Sequence, residues 1–202
     1  IETELMIADL ESIERRLANL VRKVKGGDKE ALAQEKLLKT AQAALEAGKP
    51  ARTVEVAEED EKSWRMLQLL TSKPVLYVCN VEEGNAANGN AHSEAVFARA
   101  KAEGAQAVIV SAAIESELVG MDPDERLMFL EEMGLHETGL ARVIRAGYEL
   151  LHLLTFFTVG PKEARAWTVH NGASAPEAAG EIHSDFQKGF IRAETIAFDD
   201  YV

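Results

Sequence analysis

Two short, uninterrupted apolar runs set the strongest limit on what this chain can fold into. Pro74-Val-Leu-Tyr-Val-Cys79 and Ala107-Val-Ile-Val110 lack the alternation of a half-solvated strand. Runs of this kind, bounded by turn residues, suit strands buried on both faces of a sheet. Between them His92 to Glu103 is patterned as a helix, and Gly104 ends it. Strand, helix and strand at this spacing make a βαβ unit, which sets the two strands side by side and parallel. In open parallel sheets ligands settle outside the carboxyl ends of the strands. Here those ends carry Asn80-Val81-Glu82-Glu83 and Ser111-Ala112-Ala113. An Asn and a carboxylate three residues apart can turn into one crevice, the Asn holding the neighbouring loop while the carboxylate accepts hydrogen bonds from a base edge. Ser111 and the amides after it then close the other side. Taken alone, Asn-x-x-Glu is also the pattern of a polar turn; its place after a buried strand gives it a second meaning.

Ahead of this unit the apolar residues Leu10, Ile13, Leu17, Leu20 and Val24 recur in steps of three and four, which predicts one face of a helix running to Lys25. Gly26-Gly27 breaks it, and Asp28 is placed to cap a second helix carrying Ala31, Leu38, Ala41 and Leu45 and ending near Gly48 and Pro50. Two helices joined so tightly fold back as an antiparallel hairpin. A further helix is expected over Glu58 to Leu70.

The net charge is -12, which disfavours unselective attraction of the whole surface to nucleic-acid phosphates. The charge is uneven: residues 1–52 hold 10 basic and 9 acidic side chains, whereas residues 53–202 hold 12 and 25. Arg22, Lys23, Lys25 and Lys29 gather at the tip of the hairpin. They are either a solvated helix end, where cations suit the dipole, or a patch that touches RNA or an acidic partner.

Beyond the parallel unit, helices are expected at about Pro123 to Met133 and Gly139 to Leu153, with Asp122, Asp124 and Glu125 forming a helix start. After Leu154 the texture alternates. A strand is expected over Ala164 to Val169, a turn at Asn171-Gly172, a short helix opened by a Ser174/Glu177 capping box, and a strand over Phe190 to Ile196. This order describes a small α+β module. Trp64 and Trp167 read as packing anchors, although Trp167 with Arg165 on one strand face can also stack on RNA. Cys79, the only cysteine, cannot form an intrachain disulfide, and its place in an apolar strand makes it a small core residue. The histidines at 92, 136, 152, 170 and 183 show no metal-ligand spacing. No apolar run is long enough to cross a membrane as a helix, so a soluble protein of a reducing compartment is expected.

Several segments carry a resemblance in the same order along nearly the whole chain. Leu76-Tyr-Val-Cys-Asn-Val-Glu-Glu83, Ser111-Ala-Ala-Ile-Glu-Ser-Glu117, Phe129-Leu-Glu-Glu-Met-Gly-Leu135, Val143-Ile-Arg-Ala-Gly-Tyr148 and Phe156-Phe-Thr-Val-Gly-Pro-Lys-Glu-Ala-Arg-Ala-Trp167 resemble the YchF/Obg-like ATPase family. Ala175 to Phe186 with Gly189 to Glu194 is similar to the TGS domain that ends those proteins. The resemblance implies an α/β P-loop NTPase fold, here with a partial parallel sheet, an α-helical coiled-coil hairpin and a C-terminal β-grasp (TGS) domain. Residues 1–72 would be the hairpin insertion with its flanking helices, 73–153 the C-terminal part of the NTPase domain, and 154–202 a truncated TGS domain.

The same resemblance implies a cytoplasmic, monomeric protein that binds ribosomes and ribosomal RNA and hydrolyses ATP, with Mg²⁺, in preference to GTP. Its base-specificity motif falls on Asn80, Val81 and Glu83, with backbone groups at Val81 and around Ser111, Ala112 and Ala113 completing the adenine contacts and Glu82 facing solvent. The longer Glu side chain cannot keep the paired hydrogen bonds that a shorter Asp gives to guanine. The RNA contact candidates are Arg22, Lys23, Lys25, Lys29, Arg165 and Trp167. One departure is large: the sequence contains no GxxxxGK[ST], so no residue here cradles phosphates or holds Mg²⁺. ATPase activity is therefore expected of a parent protein whose phosphate-binding half and switch segments lie outside this chain, and not of this chain alone. The competing expectations are a non-catalytic tether to RNA or the ribosome with a vestigial nucleotide half-site, and an orthodox GTPase.

Overall fold

The apolar seam of the N-terminal segment is the inner face of a long helix, α1 (Glu2–Lys25). This computed structural model describes residues 1–201. After α1 the chain reverses through Gly26-Gly27-Asp28, with Gly27 at φ 76°, and enters α2 (Lys29–Glu46), whose first turn is capped by Asp28 accepting from the Ala31 amide at 2.9 Å. The two helices pack as a hairpin, with Ile13, Leu38 and Ala41 wholly buried between them. The chain divides between Pro74 and Val75 into two compact units, and this hairpin is the body of the first.

The helix expected over Glu58 to Leu70 is shorter, α3 (Glu61–Met66), preceded by a 3-10 turn at Glu58–Asp60. Leu67 and Leu69 are both buried with Trp64 in the hairpin core. Residues two apart lie on opposite sides of a helix, so burying both requires the chain to leave it, and Gln68 does so at φ 53°. The segment is then fixed by Asp9, a carboxylate only 2% exposed. Asp9 accepts hydrogen bonds from the amides of Leu70 and Thr71, both at 2.8 Å, and from the Thr71 hydroxyl at 2.7 Å. Thr71 Oγ1 in turn accepts from the Ala51 amide, and Arg16 donates to the Leu67 carbonyl at 2.6 Å. An Arg52–Glu2 ion pair closes the outside of this clasp.

In the second unit β1 (Leu76–Asn80), α4 (Ala91–Glu103) and β2 (Gln106–Val110) form the expected βαβ unit. The strands are parallel and in register from Leu76↔Gln106 to Asn80↔Val110. An Asn90/Ser93 capping box starts α4, and Gly104, at φ 66°, ends it. One expectation fails: β1 is not buried on both faces, since Val78 is 51% exposed. Among the described residues β2 is the only strand beside β1, and a strand is buried on both faces only where helices pack on both sides of its sheet.

Three helices follow: α5 (Ala112–Leu118), α6 (Pro123–Glu132) and α7 (Gly139–Leu150). Asp122 caps α6 by accepting from the amides of Asp124 and Glu125, as its spacing predicts. Ile114, Leu118, Leu130 and Leu135 gather with Ala86 in a second core. α7 stops short of Leu153 because His152, at φ 52°, turns the chain into β3 (Leu153–Val159), which pairs antiparallel with β4 (Ala164–His170). Tyr148, near the end of α7, meets this hairpin through the hydroxyls of Thr155 and Thr168, and their hydrogen bonds lower its phenol below the usual range.

The short helices α8 (Ala175–Ile182) and α9 (Ser184–Lys188) come next, and α10 (Phe198–Tyr201) is last. The Ser174/Glu177 capping box forms as expected. The strand expected over Phe190 to Ile196 does not: these residues carry no regular element, and Ile191 and Ile196 are 92% and 68% exposed. β4 pairs with the unpredicted β3, and Phe190 to Ile196 joins neither outer edge of that two-stranded sheet. No helix among the described residues is long and apolar enough to cross a membrane.

Candidate functional site

The carboxyl ends of β1 and β2 are brought level by the parallel register, which pairs Asn80 with Val110. The ladder extends one residue further, since the Val81 amide donates to the Val110 carbonyl at 2.9 Å. The expected use of the Val81 N–H toward a base is thus closed off, because the sheet already holds it. Asn80 bridges the gap between the strand ends: its Oδ1 accepts from the Ala112 amide at 3.0 Å. A backbone N–H demands the acceptor end of the side chain, so this bond also fixes the orientation of the amide and turns Nδ2 away from α5.

Ser111 is not a loop residue but the N-cap of α5, with Ala112 and Ala113 its first two helical positions. Ser111 is 2% exposed, and its Oγ has no hydrogen-bond partner. Of the first-turn amides, which have no acceptor inside a helix, that of Ala112 is committed to Asn80. On the other wall Glu82 and Glu83 are exposed, and Glu83 opens a 3-10 turn, Glu83–Asn85. The turn is anchored directly behind Glu83 by Ala86, whose side chain is 1% exposed in the second core. Cys79, just below, is partly buried, and desolvation raises its thiol above the usual range.

Two residues that spacing did not single out hold these walls. Glu115, on α5, accepts from the Gly139 amide at 2.6 Å and the Leu140 amide at 3.3 Å, so it caps α7 from outside. Arg142, one turn into α7, donates to the Ala86 carbonyl at 3.3 Å. Thr138-Gly139 signals the helix start, but nothing local tells which carboxylate reaches it from twenty-four residues away.

The basic candidates Arg22, Lys23, Lys25 and Lys29 all lie exposed around the turn between α1 and α2, in the first unit. Arg165 and Trp167 share one face of β4 in the second. The Arg165 guanidinium sits 4.3 Å from the centre of the Trp167 ring, and the indole N–H donates to Thr158 Oγ1 at 2.9 Å. The ring is half-buried and already stacked. Among the described residues no group of three or more His, Cys, Asp or Glu side chains is arranged to hold a metal ion.

Comparison with known proteins bears on what such a crevice serves. Over 202 residues the chain is 46% identical to the "Ribosome-binding ATPase YchF" of Bacillus subtilis (strain 168), covering 99% of this chain and 55% of that protein. It is equally 46% identical to the protein of that name from Escherichia coli O157:H7, covering 100% and 55%. The chain belongs to the YchF family. The family model YchF-GTPase_C, described as "Protein of unknown function (DUF933)", matches residues 153–202. The structure of the Schizosaccharomyces pombe YchF GTPase is similar with a TM-score of 0.78 at 29% identity, over 95% of this chain and 53% of that one. The chain therefore has the parallel-sheet part of a P-loop NTPase fold followed by a C-terminal domain, and it spans about half the length of the curated YchF relatives it matches.

Proposed function

We propose that this chain is the base-reading and ribosome-contacting part of a cytoplasmic, ribosome-associated YchF ATPase that favours ATP over GTP and regulates translation or a stress response. The observation that carries the reading is the Asn80–Ala112 hydrogen bond, which ties the carboxyl end of β1 to the start of α5, with Glu83 exposed three residues beyond Asn80. The names of the B. subtilis and E. coli relatives support the ribosome and ATPase parts of it. In this reading residues 1–72 are a coiled-coil insertion, 73–153 the C-terminal part of the NTPase domain, and 154–202 part of a TGS domain, in a protein that works as a monomer.

Asn80 Nδ2, the Glu83 carboxylate and the Ala113 amide are the groups that face the base, Ala112 and Val81 serving to hold the walls and Ser111, whose Oγ is buried, packing behind them. The phosphate grip and the Mg²⁺ ligands belong to other parts of the full-length protein, and this chain is inactive by itself.

The test is a competition titration of ATP against GTP on the full-length protein and its Glu83→Asp variant. The parent is expected to favour ATP. The shorter carboxylate is expected to move the preference toward guanine by roughly tenfold, the size of one altered hydrogen bond in a polar recognition site. Unchanged selectivity removes Glu83 from base reading.

One observation favours a second reading, a tether to RNA or the ribosome with a vestigial nucleotide site. Arg22, Lys23, Lys25 and Lys29 are exposed at the hairpin tip, and none forms an ion pair among the described residues. Arg165 with Trp167 adds a smaller surface. Reversing charge at Arg22, Lys23 and Lys25 is expected to weaken ribosome association and flatten its salt dependence. If that association is the same with and without ATP, the tether reading replaces the first; if it follows ATP, the first stands.

A further inference from the structure

Both walls of the crevice hang on the first turn of α7. One wall is α5, a helix of seven residues whose inner side chains, Ile114 and Leu118, are buried at 1% and 4% exposure. Its start is tied to β1 through Asn80. Glu115 stands one turn further on, on the same side of α5 as Ala112, and its two carboxylate oxygens take the first two amides of α7. The other wall, the turn after Glu83, is reached from α7 by Arg142, through the Ala86 carbonyl.

The contact is close by construction. Gly139 is buried, and a Cβ there would lie 2.9 Å from Val110 Cγ1 and 3.0 Å from Glu115 Oε1. Val110 is the register partner of Asn80. Behind the crevice, therefore, Val110, Gly139 and Glu115 are stacked without a gap.

We infer that Glu115 is a positioning residue of the base site: by clamping α7 to α5 it sets the distance between the Ser111–Ala113 wall and the Glu83 wall. The inference rests on the base-reading role proposed above. It does not make Glu115 a ligand of the nucleotide, since its carboxylate is occupied by Gly139 and Leu140. A loosened α5 widens the crevice at the base and leaves the phosphate end of the full-length protein untouched. Glu115 thus acts on base-dependent affinity only, a signature that general destabilisation does not produce.

The experiment uses the full-length protein with Glu115→Ala, Glu115→Gln and Asn80→Ala, and measures binding of ATP beside inorganic tripolyphosphate. Glu115→Ala is expected to weaken ATP about tenfold, the loss of one to two charge-assisted hydrogen bonds, while tripolyphosphate binding stays unchanged. Glu115→Gln keeps one acceptor and is expected to lose about threefold; it decides the matter should the alanine variant fail to fold. Equal weakening of ATP and tripolyphosphate, or no weakening of either, overturns the inference. Asn80→Ala separates the two levels. If it lowers ATP affinity while both Glu115 variants do not, the crevice stands and the role of Glu115 falls. If Asn80→Ala also changes nothing, the base-reading role falls and the inference with it.

Discussion

Replacing Asp9 by alanine is expected to destabilise the helical hairpin by about 2–6 kcal/mol. The figure comes from counting what the carboxylate leaves behind. Three donors point at it: the amides of Leu70 and Thr71 and the Thr71 hydroxyl, all within 2.7–2.8 Å. The hydroxyl can rotate to another acceptor, but the two amides cannot move without undoing the 3-10 turn at Leu70–Ser72. A buried donor left without a partner costs about 1–3 kcal/mol, so two orphaned amides account for about 2–6 kcal/mol, and the small void adds little. Asp9→Asn presents one acceptor and one donor, so it should recover roughly half. Against a domain stability of about 5–15 kcal/mol, the loss brings this unit near its unfolding threshold.

Because the chain forms two compact units, a whole-chain melt mixes their transitions. The assay is therefore urea unfolding followed by Trp64, which is 9% exposed in the hairpin core, in a Trp167→Phe background. Amide exchange at Leu70 and Thr71 should rise with it. A loss below about 1 kcal/mol, within the range of an ordinary surface substitution, would mean that Asp9 is solvated in solution, and it would refute the clasp.

Two other expectations follow from the second unit. Gly139→Ala drives a Cβ against Val110, a short branched side chain that cannot swing aside, and overpacking of this kind costs about 1–3 kcal/mol; a variant as stable as the parent in urea unfolding would show that α7 has room to shift. The Ser174 hydroxyl and amide hold the Glu177 carboxyl below the usual glutamate range. Its depressed value in the folded protein means the cap is present above the ordinary glutamate pKa and is lost as pH falls through the lowered one. Amide protection in the first turn of α8 should decline over that acid window in the parent and show no such step in Glu177→Gln; a parent without the step sinks the linkage.

Local patterns were readable where one segment decides its own structure. The Leu10–Val24 seam, the Gly26-Gly27 reversal, the Asp28 and Asp122 caps and the Ser174/Glu177 box each need only neighbours within a turn. The parallel pairing of β1 and β2 was readable too, since it follows from strand, helix and strand in succession. What escaped depends on partners distant in the chain. Leu67 and Leu69 end α3 because a core built from α1 and α2 claims both. Phe190–Ile196 has the composition of a strand but joins neither outer edge of the β3–β4 pair, and Val78 is apolar yet half exposed. Glu115 and Arg142 lie inside or near the segments that carry the family resemblance, but their reach to Gly139 and Ala86 is a property of the assembled unit. The Asn80-x-x-Glu83 spacing, by contrast, gained its meaning from the family resemblance and its geometry from the structure.

The proposed base site also carries an expectation for how base selection and affinity are divided in the full-length protein. Asn80 Oδ1 and the amides of Val81 and Ala112 are spent on the protein itself. On the proposed reading three groups remain for a base: Asn80 Nδ2, the Glu83 carboxylate and the Ala113 amide. At about 1 kcal/mol net for each hydrogen bond, they supply roughly 3 kcal/mol, which corresponds to a dissociation constant on the order of 6 mM. These hydrogen bonds alone do not hold adenosine tightly. They can still discriminate, because a wrong base leaves the same groups unpaired, and each of these costs as much as a good bond gains. On the proposed reading, tight binding then comes from the phosphates and selectivity from this chain. Adenosine is therefore expected to bind the full-length protein at millimolar concentrations, and calorimetric binding of adenosine tighter than about 100 µM would require contacts that these three groups do not provide.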